Sequence, residues 1–127
     1  MSGAVGGAQV LTLDGAGAKT FASTANTTGF TQADGSGLAT FQGAVTTSGA
    51  STFNSLVTLS GITFSAGGAT TLGNAAGDTI TINTATVTMT GAGAYTVNGA
   101  LTGAQTLTLN DAGTKTFAST ASITVLS

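Results

Sequence analysis

The phenylalanines recur at a nearly constant spacing, and this constrains the fold more than any other feature of the chain. Most of them follow a threonine, in the contexts KTF, ATF, STF and ITF, and the six are Phe21, Phe30, Phe41, Phe53, Phe64 and Phe117. The first five follow one another at steps of about ten residues, which corresponds to one short strand and one turn. The spacing therefore predicts a regular stack of short strands with phenylalanines repeated on its apolar side.

A segment of eighteen positions occurs twice, close to the two ends of the chain. Residues 8–25 read AQVLTLDGAGAKTFASTA and residues 104–121 read AQTLTLNDAGTKTFASTA, with 14 identical positions. Repetition this close indicates one structural unit used twice. We interpret the copies as matching rungs near either end of one short stack, separated by roughly nine strand–turn units.

The composition favours β structure with few large side chains in its core. Thr, Ala, Gly and Ser make up 81 of the 127 residues, whereas Leu, Ile, Val and Phe total only 27. Threonine favours extended backbone because its β-branched side chain suits a pleated surface. Residues 11–13 (LTL) and 86–90 (TVTMT) alternate apolar and hydroxyl side chains, as a half-buried strand does. So thin a core becomes stable if each rung buries its neighbour, or if copies of the chain share a core.

These observations predict an all-β fold in a single domain, residues 1–127. A β-helix or β-solenoid of short strands at about ten-residue spacing accounts best for the repeated phenylalanines, either as a single-chain solenoid or as a trimeric β-helix. A Greek-key β-sandwich is the alternative, although a sandwich would normally contain more aromatic and aliphatic bulk. Asn98-Gly99 could close a type I′ hairpin, so the sequence leaves antiparallel pairing open.

Residues 38–61 (LATFQGAVTTSGASTFNSLVTLSG) and 70–83 (TTLGNAAGDTITIN) contain short Thr-Phe and Asp-Thr-Ile units. These stretches resemble β-helical segments of bacteriophage tail fibres and related virion appendages, especially those of cyanophages. The duplicated segments also resemble repeats of very large bacterial surface adhesins of the filamentous-haemagglutinin type. The resemblance implies a fibrous, often trimeric, structural role, and it transfers no functional residue.

Two features of the chain's ends favour the virion reading over the adhesin reading. The similarity between the copies stops at Ala121, because residues 122–127 do not match residues 26–31. The chain also opens on Met1 without the basic and apolar regions of a signal peptide. We interpret both as favouring a complete small virion protein over a segment of an adhesin.

The residue types used most often in catalysis are scarce. The chain contains no His, Cys, Arg, Glu or Trp, so acid–base chemistry would depend on Asp or Lys alone. The six charged residues are Asp14, Lys19, Asp34, Asp78, Asp111 and Lys115. We interpret the carboxylates as solvated turn residues, and the lysines as turn charges that limit edge-to-edge association. A rung-end salt bridge between a lysine and the preceding aspartate is the alternative. The sequence thus predicts no enzyme and no catalytic, cofactor-binding or metal-binding residue.

Two further patterns are candidates for binding sites. Residues 73–80 (GNAAGDTI) partly match the calcium-binding unit of β-rolls, but that site needs tandem copies, so an ordinary Asp-containing turn is the preferred interpretation. The Thr-x-Thr runs raise the possibility of an ice-binding face. Such a face needs an array repeated on every rung, and the runs are unevenly spaced along the chain.

The remaining function classes follow from charge and hydropathy. A net charge of −2 without a basic cluster argues against nucleic acid as a partner. No apolar run approaches the ~20 residues that cross a bilayer. We therefore hypothesise a non-enzymatic structural protein of a bacteriophage virion, as a capsid decoration or cement protein or a tail-fibre or spike component. Its partners would be itself, as a homotrimer, and other virion proteins. The alternative is a β-helical segment of a large secreted adhesin on the bacterial surface.

Overall fold

The computed structural model describes residues 1–126, which form nineteen short β-strands joined by turns. The first nine strands are β1 (Val5–Gly6), β2 (Val10–Leu13), β3 (Lys19–Phe21), β4 (Ala25–Thr27), β5 (Gly29–Gln32), β6 (Ala39–Phe41), β7 (Val45–Thr47), β8 (Ser51–Phe53) and β9 (Val57–Ser60). The other ten are β10 (Thr63–Ala66), β11 (Thr70–Leu72), β12 (Thr79–Asn83), β13 (Val87–Gly91), β14 (Tyr95–Val97), β15 (Ala100–Thr102), β16 (Thr106–Asp111), β17 (Lys115–Phe117), β18 (Ala121–Ser122) and β19 (Val125–Leu126). Within this range there is no helix that could cross a membrane.

The strands form three parallel sheets, and consecutive strands always belong to different sheets. Sheet A has the order β1-β4-β7-β10-β13-β16-β19, sheet B has β2-β5-β8-β11-β14-β17, and sheet C has β3-β6-β9-β12-β15-β18. We term each set of three consecutive strands a rung, so the first rung is β1–β3 and the sixth is β16–β18. The chain is therefore a β-solenoid of six rungs plus one strand, as the sequence predicts, and the strand pairing within it is parallel.

The spacing of the phenylalanines is about half of one rung. Successive register partners in sheet A show the length of a rung, and they are Val5, Ala25, Val45, Phe64, Met89 and Leu109. A typical rung therefore takes about 20 residues, a period within the range of solenoid repeats. Phe21 and Phe41 lie in sheet C, whereas Phe30 and Phe53 lie in sheet B. These four phenylalanines thus alternate between two sheets, and only the second rung contains two of them.

The interior of the first four rungs is an aromatic stack. The rings of Phe21 and Phe41, which are register partners, lie parallel with centroids 4.8 Å apart. Phe30 packs edge-on against both of them, at 5.7 and 5.3 Å, and Phe53 packs edge-on against Phe41 at 5.7 Å. All four rings are at most 1% exposed. The phenylalanines thus repeat in the interior as expected, but only Phe21 and Phe41 pair in register, and rings from two sheets meet at the centre.

Tyr95 continues this aromatic core into the fifth rung. Its ring lies 6.4 Å from Phe64, and its single O–H group is within hydrogen-bond distance of two carbonyl acceptors, Phe64 O at 3.0 Å and Thr90 O at 2.7 Å. The side chain is only 2% exposed, so these contacts lie away from solvent. We expect Tyr95→Phe to lower the free energy of unfolding by about 1–2 kcal/mol, because a buried donor is lost while the ring is kept.

Denaturation in guanidinium chloride measures this change. Thr96→Val is the matched control, because it removes a hydroxyl from the half-exposed outer side of the same strand. A surface change of this kind is expected to stay within about 0.5 kcal/mol of the parent. Equal losses in both variants would contradict a stabilising role for the Tyr95 hydroxyl.

The corner between sheets A and B is lined by glycines that bring successive rungs close together. A Cβ at Gly93 would lie 2.6 Å from the carbonyl carbon of Gly68 and would overlap its oxygen. A Cβ at Gly113 would lie 2.7 Å from the carbonyl carbon of Gly93. Glycine is therefore required here because the backbone of the preceding rung occupies the space of a side chain.

The two copies of the duplicated segment lie on different faces of the solenoid. In the first copy the strands are β2, β3 and β4, on sheets B, C and A, whereas in the second they are β16, β17 and β18, on sheets A, B and C. The copies are fourteen strands apart, so the expectation of nine strand–turn units, with matching rungs, is wrong. The reason is that a rung of about 20 residues holds three strands and not two, so the offset equals four rungs and two thirds.

Candidate functional surfaces

Sheet B has a complete ladder of threonines on its outer side. A threonine in each strand is a register partner of one in the next strand, and the six are Thr12, Thr31, Thr52, Thr71, Thr96 and Thr116. All six are exposed or half-buried. The hydroxyl groups therefore repeat at the strand spacing of about 4.8 Å along the solenoid axis.

Sheet C has an equivalent ladder, formed by Thr20, Thr40, Thr58, Thr81, Thr102 and Ser122. The uneven spacing of the Thr-x-Thr runs along the chain therefore does not exclude a hydroxyl side chain on every rung of these two sheets. Spacing along the sequence hides the alignment, because the corners differ in length and the rung that contains residues 73–80 is longer than the others. Each ladder is one threonine wide, since the flanking positions of the three-residue strands face inward.

Two of the charged side chains close local turns. The Asp14 carboxylate accepts a hydrogen bond from Gly15 N at 2.6 Å, and the Lys19 ammonium donates to the carbonyl oxygen of Gly15. Asp34 is exposed in the corner that follows β5, and Lys115 is half-buried in β17. The side chain of Asp111 lies outside the described part of the structure. Asp14 therefore closes a turn, whereas Lys19 and Lys115 lie in β3 and β17, so the expectation that both lysines are turn charges is wrong.

Residues 73–80 include the corner between β11 and β12, which is as long as the corner between β5 and β6. The Asp78 carboxylate accepts hydrogen bonds from Asn74 N, at 2.9 Å, and Ala75 N, at 3.0 Å. Gly73 has φ of +77°, a left-handed conformation that favours glycine. Asp78 thus closes the corner through backbone amides, as carboxylates in turns commonly do. The described residues contain no group of three or more His, Cys, Asp or Glu side chains placed to hold a metal ion together.

One interior corner of the second and third rungs is polar. Gln32 is fully buried and donates through Nε2 to the carbonyl oxygens of Gly37, at 3.0 Å, and Leu56, at 3.3 Å. Ser55 donates to the carbonyl oxygen of Ser36 at 2.7 Å. These bonds tie two successive corners together beside the end of β5. The arrangement satisfies backbone groups, so we assign it a structural role.

A shallow depression lies at the corner between sheets A and B in the first three rungs. Its volume is about 340 Å³, and its lining is Gly6, Gly7, Ala8, Asn26, Thr27, Thr28 and Ser48. These residues are small and uncharged, and none of them is a nucleophile with a neighbouring base.

The two ends of the solenoid expose strand edges and part of the core. The amino-terminal end surface consists of the outer edges of β1, β2 and β3, and the carboxy-terminal end surface of the outer edges of β17, β18 and β19. The partly buried apolar residues that pack on the core all lie near these ends, and they are Val5, Leu11, Leu109, Phe117 and Ile123. Within the described residues, the end surfaces are therefore where the core is least covered.

We compared the chain with protein-family models, with curated proteins and with solved structures, and none of the three comparisons found a match. The functional assignment therefore depends on the geometry of the solenoid and on its sequence features. These are a continuous core, hydroxyl-bearing outer faces and two ends with open strand edges.

Proposed function

We propose that this chain is a non-enzymatic structural protein of a bacteriophage virion, either a capsid decoration or cement protein or a component of a tail fibre or spike. Its role is mechanical: it acts as a stiff element that other virion proteins contact. The proposal combines the solenoid fold with the resemblance of residues 38–61 and 70–83 to phage appendage segments.

The observation that carries the proposal is the continuity of the core through the rungs. Each sheet pairs in register from the first rung to the sixth, and buried apolar side chains occur from Leu13 to Leu107. In such a stack each rung is stabilised mainly by its two neighbours, so bending requires backbone ladders to open on one side. A rod of this kind resists bending without any ligand or metal.

The homotrimer in this proposal forms through outward faces, since each chain encloses its own core. Leu38 and Leu56 are 36% and 44% exposed and precede register partners in neighbouring rungs, so they form a small apolar ridge beside sheet C. Apolar side chains placed together on the surface are what lateral contact between solenoids requires.

The test is mass spectrometry of phage particles purified on a density gradient from the culture that expresses the gene. We expect the chain to remain with the particles after a high-salt wash, at a fixed ratio to the capsid or tail proteins. Absence of the chain from the particles would contradict the proposal.

The alternative function is a β-helical segment of a large secreted adhesin. It is favoured by the duplicated segment, since long adhesins are arrays of such units. Recovery of the sequence from the cell surface, within a much longer polypeptide, would support this alternative over the virion role.

A further inference from the structure

We propose that this solenoid stacks end to end with a second copy of itself, the amino-terminal end surface of one copy extending the sheets at the carboxy-terminal end surface of another. The proposal does not depend on the virion role, because the duplicated segment and the end geometry carry it.

Strand β17 has one open edge among the described residues. This strand has the sequence Lys-Thr-Phe, as does β3, and β3 pairs in register with Ala39–Phe41 in the following rung. Lys19 N donates to Leu38 O at 2.8 Å, and Phe21 O accepts from Gln42 N at 2.9 Å. The same molecule therefore shows that this strand sequence accepts a following rung through the edge that is open in β17.

The opposite edge of the Lys-Thr-Phe strand also pairs with a parallel strand. In β17, Thr114 O accepts from Tyr95 N and Ala118 N donates to Val97 O, both at 2.9 Å. Between them, the two copies show the Lys-Thr-Phe strand with a parallel neighbour on each side. An end-to-end stack thus needs no kind of pairing that the chain does not already make.

Apolar burial supports the same arrangement. Phe117 is partly exposed, whereas the other five phenylalanines are at most 1% exposed. Val5 and Leu11 are likewise partly buried at the opposite end. A second copy covers both sets at once and places each terminal rung in the interior of a longer stack.

The strand count fixes the geometry of the stack. The nineteen strands that residues 1–126 form on three sheets make six rungs and one strand, so each end surface is a step rather than a flat plane. The steps match when β1 of one copy lies on β17 of the other, β2 on β18, and β3 on β19. Each copy is then rotated by one face, about a third of a circle. With strands about 4.8 Å apart, each copy adds about 30 Å to the filament.

Met1 covers part of the edge that β3 uses in this stack. Its carbonyl oxygen accepts a hydrogen bond from Ala22 N at 3.0 Å, and its amino group donates to Thr20 O. In the stack β19 takes this place, so Met1 moves away when the copies join. We expect a variant lacking residues 1–3 to associate more strongly, and weaker association would overturn the placement of β3 on β19.

The decisive variant is Lys115→Pro. Backbone groups alternate in direction along a strand, and because residues 114 and 118 bond to β14, residue 115 directs its backbone N–H group toward the outer edge of sheet B. Proline there removes an edge donor without removing a bond to the preceding rung. Lys115→Ala is the matched control, because it loses the contacts of the same side chain and keeps the N–H group.

Light scattering across a concentration series, with electron microscopy of the same samples, tests the proposal. We expect the parent chain and Lys115→Ala to form linear assemblies with a repeat of about 30 Å. Lys115→Pro should associate about tenfold more weakly. Circular dichroism and thermal melting confirm that Lys115→Pro remains folded. Equal association by all three proteins would overturn the proposal, as would a mass that stays at one or three chains at every concentration.

A mass fixed at three chains would leave the lateral homotrimer intact, and so would separate this inference from the proposed function. Conversely, filaments that form in vitro while the chain is absent from virions would support stacking and contradict the virion role.

Discussion

Replacing Phe41 by alanine is expected to lower the free energy of unfolding by about 3–5 kcal/mol, the usual range for a fully buried aromatic ring. Phe41 has three ring neighbours: it stacks on Phe21 at 4.8 Å and meets Phe30 and Phe53 edge-on at 5.3 and 5.7 Å. Its removal leaves a cavity bounded by the other three rings. The stiff, hydrogen-bonded sheets around that cavity limit how far the rungs can close over it.

The matched control is Phe117→Ala, which makes the same change in the last complete rung. Phe117 is partly exposed and lies at an open edge, so truncation there removes less buried area and leaves space that solvent can fill. We expect a loss of about 1 kcal/mol. Urea denaturation followed by circular dichroism measures both variants, and losses of equal size would contradict the central place assigned to the aromatic stack.

Replacing Gly93 by alanine is expected to cost about 3 kcal/mol, because the new methyl group overlaps the backbone of the preceding rung. The obstructing atoms are the carbonyl oxygen and carbon of Gly68, and neither can rotate away as a side chain would. Gly93 N also donates to Ala66 O at 3.0 Å, a bond that holds the two corners together. Relief of the overlap therefore requires the rungs to separate at this corner.

Gly17→Ala is the control for this effect. A Cβ at Gly17 would have no described atom within 4 Å, because this corner belongs to the first rung and no earlier rung lies against it. We expect a change within about 0.5 kcal/mol. Thermal melting of both variants, at one protein concentration, separates the outcomes. If Gly93→Ala melts at the parent temperature, the rungs are not as closely packed at this corner as the structure indicates.

The solenoid fold could be predicted because two of its determinants, strand alternation and a repeated phenylalanine, can be read directly from the sequence. Alternation in stretches such as residues 11–13 identifies strands, and the recurrence of Phe21, Phe30 and Phe41 identifies a repeat. The division into three sheets could not be predicted in the same way. A step of about ten residues is equally compatible with two strands per rung. Only the register shows that Phe21 pairs with Phe41 and not with Phe30.

The candidate surfaces were harder to predict than the fold. Thr52, Thr71 and Thr96 are successive members of one ladder, yet the second interval along the chain is longer than the first because the corner after β11 intervenes. Corners of different lengths leave the strand register unchanged. The threonines are therefore regularly spaced across the sheet although their intervals along the sequence differ. The open edge of β17 could not be predicted from the sequence either, because it depends on which strands pair with each other in the sheets.

The rotated placement of the duplicated segment has a consequence for how such a chain can change over evolutionary time. Two closely similar eighteen-residue segments serve sheets B, C and A at one end and sheets A, B and C at the other. The offset between the copies is thus a whole number of strands but not of rungs. Gain or loss of one strand with its corner would keep the interior apolar. It would also move every later loop to another face of the solenoid. The outward-facing loops can in this way be rotated about the solenoid axis in steps of a third of a circle, while the core keeps its composition.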